Sequence, residues 1–255
     1  MTSHITVLDG GMGRELMRIG APFRQPEWSA LALLEGPDWV VTAHRNFIEA
    51  GAQVVTTNSY AVVPFHIGED RFASMGRDLA DLSGRLARTA ASTATGITVA
   101  ASLPPLFGSY RPDLFDAARA PELIDPLVDG LRAHVDVWLG ETLSAIDEAR
   151  VVRAALDRAG DTKPLWLSFT LDDFVPGTLK SGESIDTAVR VAAELGASAV
   201  LFNCCQAETI SEGISIARRA LPDSVRVGGY ANRFVAAHST ETQANAGIAT
   251  FRDDL

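Results

Sequence analysis

Short runs of apolar, often β-branched residues alternate along the chain with longer stretches in which apolar residues recur every three or four positions. The short runs predict buried strands, and the longer stretches predict amphipathic helices. The predicted strands cover residues 5–8, 53–57, 97–103, 135–139, 165–170, 199–203 and 225–228. Helical patterning covers residues 13–19, 77–94, 143–159, 185–195 and 209–220, and Pro37 with Asp38 suits the first turn of a further helix.

The alternation of strands and helices predicts a parallel sheet, because two parallel neighbouring strands need a crossover connection. A repeat of roughly 30–45 residues is typical of an eight-stranded barrel. The pattern supplies seven strands, and the final residues 251–255 add none. We therefore expect an α/β chain that forms one TIM-type (β/α)8 barrel domain over residues 1–255, C-terminally incomplete, with the eighth strand and helix missing. A large doubly wound sheet is the alternative that the pattern leaves open.

Composition excludes several classes of protein. The 255 residues are 47% hydrophobic and 21% charged, which excludes a disordered chain. The 22 basic and 32 acidic residues give a net charge of −10, and so acidic a surface repels phosphate backbones. No apolar run approaches the ~18 residues of a membrane span, and no basic and apolar leader precedes the first strand. We expect neither a nucleic-acid nor a membrane partner.

The chain has two cysteines, Cys204 and Cys205, which are adjacent. Adjacent cysteines exclude a disulfide framework and favour the reducing cytoplasm. Neighbouring strand residues point to opposite faces, so we expect one thiol to face the barrel interior and the other to face the helices.

Every predicted strand ends in polar residues or glycines. In a parallel barrel, the carboxyl ends of the strands and the loops that follow them form the catalytic face. The residues at these ends include Asp9, Gly10, Gly11, Asn58, Tyr60, Ser102, Glu141, Ser168, Asn203, Cys204, Tyr230 and Asn232. This distribution favours an enzyme that acts on a small molecule over a passive scaffold.

Several motifs occur in an order that resembles the homocysteine S-methyltransferase family. They are LDGGMG at 8–13, EL at 15–16, WSA at 28–30, His44, AGAQVVTTNSY at 50–60, ET at 141–142, SFT at 168–170 and NC at 203–204. The resemblance extends from Leu8 to about Asn232. Its most specific parts are the glycine-rich opening motif and the block at 50–60.

Members of that family are zinc-dependent (β/α)8 barrels that methylate the sulfur of homocysteine to give methionine. The resemblance implies homocysteine and a methyl donor as small-molecule partners. The donor is S-methylmethionine, S-adenosylmethionine, a betaine-like compound or a methylated corrinoid. Zinc is the implied cofactor, because a metal-bound thiol loses its proton and becomes a nucleophile.

The resemblance implies Cys204 as a zinc ligand, and Tyr60 as a candidate ligand when substrate is absent. The family's Gly-Gly-Cys-Cys motif at the end of the eighth strand is not present, since Gly228 and Gly229 precede Tyr230. Free cysteine is also among the most buried residue types, so a packing role is the alternative for Cys204.

Glu141 and Asp9 are the expected catalytic acids. Glu141 is expected to pair with the ammonium group of the amino-acid substrate, and a solvated loop acid is the alternative. For Asp9 the alternative is a turn or N-cap aspartate. The expected substrate-binding residues are Asp9, Gly10, Gly11, Asn58, Ser102, Glu141, Asn203, Tyr230 and Asn232. The glycines are expected to let the backbone approach the ligand closely.

Other functions remain open. The missing cysteine pair motivates a metal-free, catalytically impaired barrel of the same family that binds an amino acid or a thioether. A Schiff-base aldolase is disfavoured, because the chain has only Lys163 and Lys180, and Lys163 precedes a strand at the wrong end. A homo-oligomer that covers the exposed edges of a seven-stranded barrel is the remaining hypothesis about partners.

Overall fold

The computed structural model describes residues 5–232. Within this part of the chain one parallel sheet has its strands in chain order from β1 to β6, each paired with the next. The strands are β1 (Val54–Thr56), β2 (Thr98–Leu103), β3 (Val137–Leu143), β4 (Leu165–Phe169), β5 (Ala197–Asn203) and β6 (Arg226–Tyr230). The α/β class and the parallel arrangement are thus confirmed.

The first predicted strand, residues 5–8, is reduced to one parallel bridge between Leu8 and Val54. Among the described residues it has only the three-residue β1 beside it, and Ile5 and Val7 are 79% and 49% exposed. Arg226 of β6 donates a hydrogen bond to Thr6, so the two ends of the sheet approach each other. The sheet is therefore a curled half-barrel. The expected loss of an eighth strand and helix concerns residues that lie outside the described part, so the single incomplete domain over 1–255 stays a prediction.

Helices connect the strands. They are α1 (Met12–Arg18), α2 (Ala30–Glu35), α3 (Pro37–Glu49), α4 (Pro64–Ile67), α5 (Glu69–Ala91), α6 (Ala120–Leu131), α7 (Ile146–Arg158), α8 (Ile185–Glu194) and α9 (Ala207–Ala220), with a 3-10 turn at Pro112–Leu114. Pro37 opens α3 as expected, and the Ser184 hydroxyl caps α8 by accepting from the Thr187 amide. The helix predicted over 143–159 begins at Ile146, because β3 continues to Leu143. None of the helices between residues 5 and 232 has the length and apolar character that a membrane crossing requires.

Alternation along the strands divides the apolar residues between two layers. Trp138 lies in the large core between the sheet and the helices, whereas Val137 and Leu139 point to the barrel interior. The inner cluster consists of Val54, Ala100, Val137, Leu139, Trp166, Ala199 and Leu201. Because side chains alternate with a period of two, polar residues two positions further along these strands form the next interior layer towards the carboxyl end.

Candidate active site

The interior layer above the inner cluster is polar. The inward positions that follow Val54, Ala100, Leu139, Trp166 and Leu201 are Thr56, Ser102, Glu141, Ser168 and Asn203. Ser102, Ser168 and Asn203 are buried, and the Thr56 and Glu141 side chains are hydrogen-bonded within the layer. The strand register therefore brings these side chains together at the carboxyl end of the half-barrel.

Glu141 is held by two hydroxyl groups from other strands. Its Oε2 accepts a hydrogen bond from Ser102 Oγ at 2.6 Å, and its Oε1 accepts one from Tyr230 Oη at 3.0 Å. Burial raises the pKa of the Glu141 carboxyl above its usual value, and the two hydrogen bonds partly offset this effect. The carboxylate is thus fixed in position while its charge lacks full hydration.

Asp9 lies at the end of the first segment and is held by Thr56. Its Oδ2 accepts from the Thr56 backbone amide at 2.6 Å, and its Oδ1 accepts from Thr56 Oγ1 at 2.9 Å. Burial raises the pKa of Asp9 to about 7, and the nearby Glu141 charge adds to the rise. An ammonium group placed beside these two acids would offset both effects.

Cys204 follows β5, and its sulfur lies among hydrogen-bond donors. Asn203 Nδ2 is 3.2 Å from Sγ, Thr142 Oγ1 is 3.8 Å from Sγ, and the Tyr110 hydroxyl also donates to it. Burial raises the pKa of the Cys204 thiol above its usual value. Cys205 is only 1% exposed and belongs to the core beneath the helices, so the two thiols diverge as expected.

Tyr60, the candidate ligand, is close to this sulfur but is paired elsewhere. Its hydroxyl shares a hydrogen bond of 2.7 Å with Ser109 Oγ. Burial raises the pKa of Tyr60 far above its usual value, and the Cys204 charge acts in the same direction. The phenol is therefore neutral in this arrangement.

Three of the expected substrate-binding residues, Asn58, Gly10 and Asn232, have contacts within the protein. Asn58 Nδ2 donates to the Ser29 carbonyl at 2.9 Å, which ties the loop after β1 to the start of α2. A Cβ on Gly10 would lie 2.9 Å from the Phe47 ring, so helix packing explains this glycine. Gly11 has no neighbour within 4 Å of such a Cβ. Asn232 donates its backbone amide to the Cys205 carbonyl and its side chain bonds the Tyr110 hydroxyl.

Sequence reasoning missed Tyr110 and Thr142 as parts of the site. Tyr110 lies in the loop between β2 and α6, where no periodic pattern marks a position. Thr142 belongs to the ET motif at 141–142, but its contact with Cys204 depends on a bulge in β3. Both residues have a positive φ, of 63° and 60°, and a hydrophobic pattern carries no information about φ.

The described residues do not fit a zinc ion held by several protein ligands. They contain no group of three or more His, Cys, Asp or Glu side chains close enough to bind a metal. Structural and catalytic zinc sites take three or four such ligands. Of the two expected ligands, Cys204 is surrounded by donors and Tyr60 is paired with Ser109.

Known proteins are similar to this chain along most of its length. The family model for homocysteine S-methyltransferase matches residues 6–253. The chain is 28% identical to selenocysteine Se-methyltransferase of Brassica oleracea var. italica over 221 residues, which cover 75% of this chain and 62% of that protein. It is 31% identical to the homocysteine S-methyltransferase of Escherichia coli (strain K12) over 195 residues, which cover 66% of this chain and 59% of that protein. The matched part thus spans about three fifths of the length of both relatives.

A solved structure supports the fold. The metallated form of the homocysteine methyltransferase MmuM from Escherichia coli superposes with a TM-score of 0.76 at 24% identity, covering 91% of this chain and 93% of that one. The likeness of fold, the ordered motifs and the family match agree with one another. The chain belongs to the homocysteine S-methyltransferase family.

Proposed function

We propose that this chain transfers a methyl group to the sulfur of homocysteine and so forms methionine. The observation that carries the proposal is the pair of half-buried, hydrogen-bonded carboxyl groups, Asp9 and Glu141, in the same interior layer as the residues around Cys204. Membership of the family supports the assignment.

The two acids suit the amino end of the substrate. Homocysteine has an ammonium group, which forms charge-assisted hydrogen bonds with carboxylates. Ser102 and Tyr230 orient Glu141, and Thr56 orients Asp9, so neither acid needs to reorganise when the ammonium arrives. This arrangement fixes one end of the substrate and leaves its thiol free to point towards Cys204.

Methyl transfer forms a bond between the homocysteine sulfur and the methyl carbon while the bond from that carbon to the donor breaks. The donor leaves with the bonding electron pair, and the thiol proton passes to a base. Asp9 and Glu141 hold the ammonium group at the other end of the amino acid, so water is the base assigned to this proton. A zinc ion would activate the thiol if bound, but the described residues do not form a site for it, so no step is assigned to a metal.

A second candidate is a metal-free barrel that binds an amino acid or a thioether without transferring a methyl group. The donor environment of Cys204 favours it, because the described residues bring one thiol and no other thiolate to this face. In both candidate functions the carboxylate pair binds the amino acid. The two functions differ in whether a methyl group is then transferred.

The test is the binding of homocysteine by calorimetry to the wild type and to Glu141→Gln. We expect the variant to bind about tenfold or more weakly, because a charge-assisted hydrogen bond to a buried carboxylate is lost. Glu122→Gln, on the exposed side of α6, is the matched control and should bind as the wild type does.

A methyl-transfer assay on the same protein separates the two candidates. Methionine formed from homocysteine and S-methylmethionine, S-adenosylmethionine or betaine supports the transferase. Tight binding of homocysteine with no methionine from any donor would leave the metal-free binding protein. If homocysteine fails to bind at all, both candidates are wrong.

A further inference from the structure

We infer that this chain holds the Cys204 sulfur by hydrogen bonds from Tyr110, Thr142 and Asn203 in place of a metal, and that Tyr110 is the positioning residue of this set. The inference goes beyond the proposed function, because it concerns the state of a protein sulfur rather than the substrate. The donor set around Cys204 is defined here as Tyr110, Thr142 and Asn203.

Three residues at the sulfur have strained backbone conformations. Tyr110, Thr142 and Cys204 have φ angles of 63°, 60° and 57°. Non-glycine residues avoid this left-handed region, and a β-branched threonine avoids it most. Three of the four such residues in the described part of the chain thus meet at one atom, Cys204 Sγ. Clustered outliers of this kind are typical of functional positions.

The orientation of the Asn203 amide is fixed by its other partners. Its Oδ1 accepts from Ser168 Oγ at 2.6 Å and from the Thr142 backbone amide at 3.2 Å. Its Nδ2 then has two hydrogens to donate, one to Thr142 Oγ1 at 2.8 Å and one to Cys204 Sγ at 3.2 Å. The amide therefore presents a donor to the sulfur and cannot turn its oxygen there without losing three hydrogen bonds.

Tyr110 differs from the other two donors in its place in the fold. Thr142 and Asn203 lie on β3 and β5, whereas Tyr110 lies on the loop that connects β2 to α6. Its hydroxyl donates to Cys204 and accepts from the side chain of Asn232. Tyr110 thus links the sulfur to the segment after β6, and its hydroxyl can be removed without disturbing a strand.

The same contacts argue against a metal at this sulfur. A metal at Sγ would need two or three further anionic or imidazole ligands, whereas the side chains bonded to Sγ are the neutral amide and hydroxyl groups of the donor set. Cys205 is 1% exposed and lies in the core under the helices, so it cannot join Cys204 as a ligand without leaving that core.

The positioning role is tested by alkylating the full chain with iodoacetamide and following each cysteine by mass spectrometry. We expect Tyr110→Phe to lower the alkylation rate of Cys204 roughly threefold to tenfold, because iodoacetamide reacts with the thiolate and the lost hydrogen bond stabilises that form. Cys205 is an internal reference in the core. Arg111→Gln is the matched control, since Arg111 lies on the same loop and its side chain pairs with Asp113.

The outcomes separate positioning from general loosening. A slower reaction at Cys204 with Cys205 unchanged, and wild-type behaviour in Arg111→Gln, supports the inference. An unchanged or faster rate at Cys204 in Tyr110→Phe overturns it. Parallel acceleration at Cys205 also overturns it, since that result means that the core has opened.

The metal is tested by adding equimolar Zn²⁺ before iodoacetamide, and by titrating Cd²⁺ to look for thiolate-to-metal absorption. We expect no protection of Cys204 by zinc and no absorption that disappears in Cys204→Ser. Stoichiometric zinc protection that is lost in Cys204→Ser overturns the inference. Neither assay contains homocysteine or a methyl donor, so failure here is distinguishable from failure of the proposed function.

Discussion

Asp9 shows how one residue's surroundings decide what its side chain can do. An aspartate before glycines is common in turns, where its carboxylate is hydrated. Here it is half-buried near Glu141 and bonded to Thr56, and desolvation raises its pKa to about 7. The unfolded chain gives up this proton near the usual value of 3.8, so the folded chain holds it over a pH range in which the unfolded chain does not.

The stability of the protein is therefore expected to fall as pH rises from about 4 to about 7, and this part of the fall should depend on Asp9. One such group contributes at most about 1.4 kcal/mol per pH unit. Asp9→Asn should flatten the curve by up to that amount, as measured by urea unfolding at pH 5, 6, 7 and 8. Asp38→Asn, on the exposed first turn of α3, is the control. Identical slopes for Asp9→Asn and the wild type would contradict the buried carboxyl.

At the scale of elements, α6 shows that packing can support a helix with an unfavourable sequence. Pro126 lies inside this helix and removes one backbone donor, and the sequence pattern did not predict a helix here. The helix is stabilised by contact with α5, where Gly130 allows the two backbones to approach closely. A Cβ at Gly130 would clash with the Arg77 carbonyl oxygen and lie 2.8 Å from the Asp81 amide nitrogen.

Gly130→Ala is expected to destabilise the protein by about 1–3 kcal/mol, because the extra methyl group forces α5 and α6 apart. Asp129→Ala, one position earlier on the exposed side of α6, should change the free energy of unfolding by less than about 0.5 kcal/mol. Urea unfolding at one pH measures both. Equal stability of Gly130→Ala and the wild type would mean that the helices separate at little cost.

At the scale of the whole molecule, the sheet is unevenly protected. β4 is buried along its length and pairs with β3 and β5 on its two sides. Every residue of β6 is partly or fully exposed, and among the described residues β6 pairs only with β5. In a strand that is paired on both sides and covered by the core, the backbone hydrogen bonds break only when the whole protein unfolds. In an edge strand they break through local opening.

Hydrogen exchange should therefore show a gradient across the sheet. Amides of Leu165–Phe169 are expected to exchange at the rate of global unfolding, and amides of Arg226–Tyr230 to exchange orders of magnitude faster. Mass spectrometry of peptides from the two strands measures this difference. Equal protection of the two strands would show that β6 is covered in solution.

The sequence predicted most of the repeating strands and helices. The buried face of each element requires apolar residues at a regular spacing, which is two positions in a strand and three or four in a helix. It also placed Glu141, Ser102, Asn203 and Cys204 at strand ends, and the structure brings these four together. It failed at residues 5–8, where among the described residues only the three-residue β1 lies beside the apolar run. It also failed at α6, where Pro126 hides a helix stabilised by packing. The roles assigned to these site residues stay predictions.

The sequence by itself determined the α/β class, the order of the elements and the family. Hydrophobic periodicity and the order of motifs can both be read along the chain without knowledge of the tertiary contacts. Only the tertiary structure decided what surrounds each site residue. Tyr110 and Cys204 are far apart along the chain, and their contact depends on loop geometry and positive φ angles that no hydrophobic pattern encodes. Burial, and the resulting pKa of about 7 at Asp9, arises from the assembled half-barrel, since desolvation is a property of everything that encloses a group.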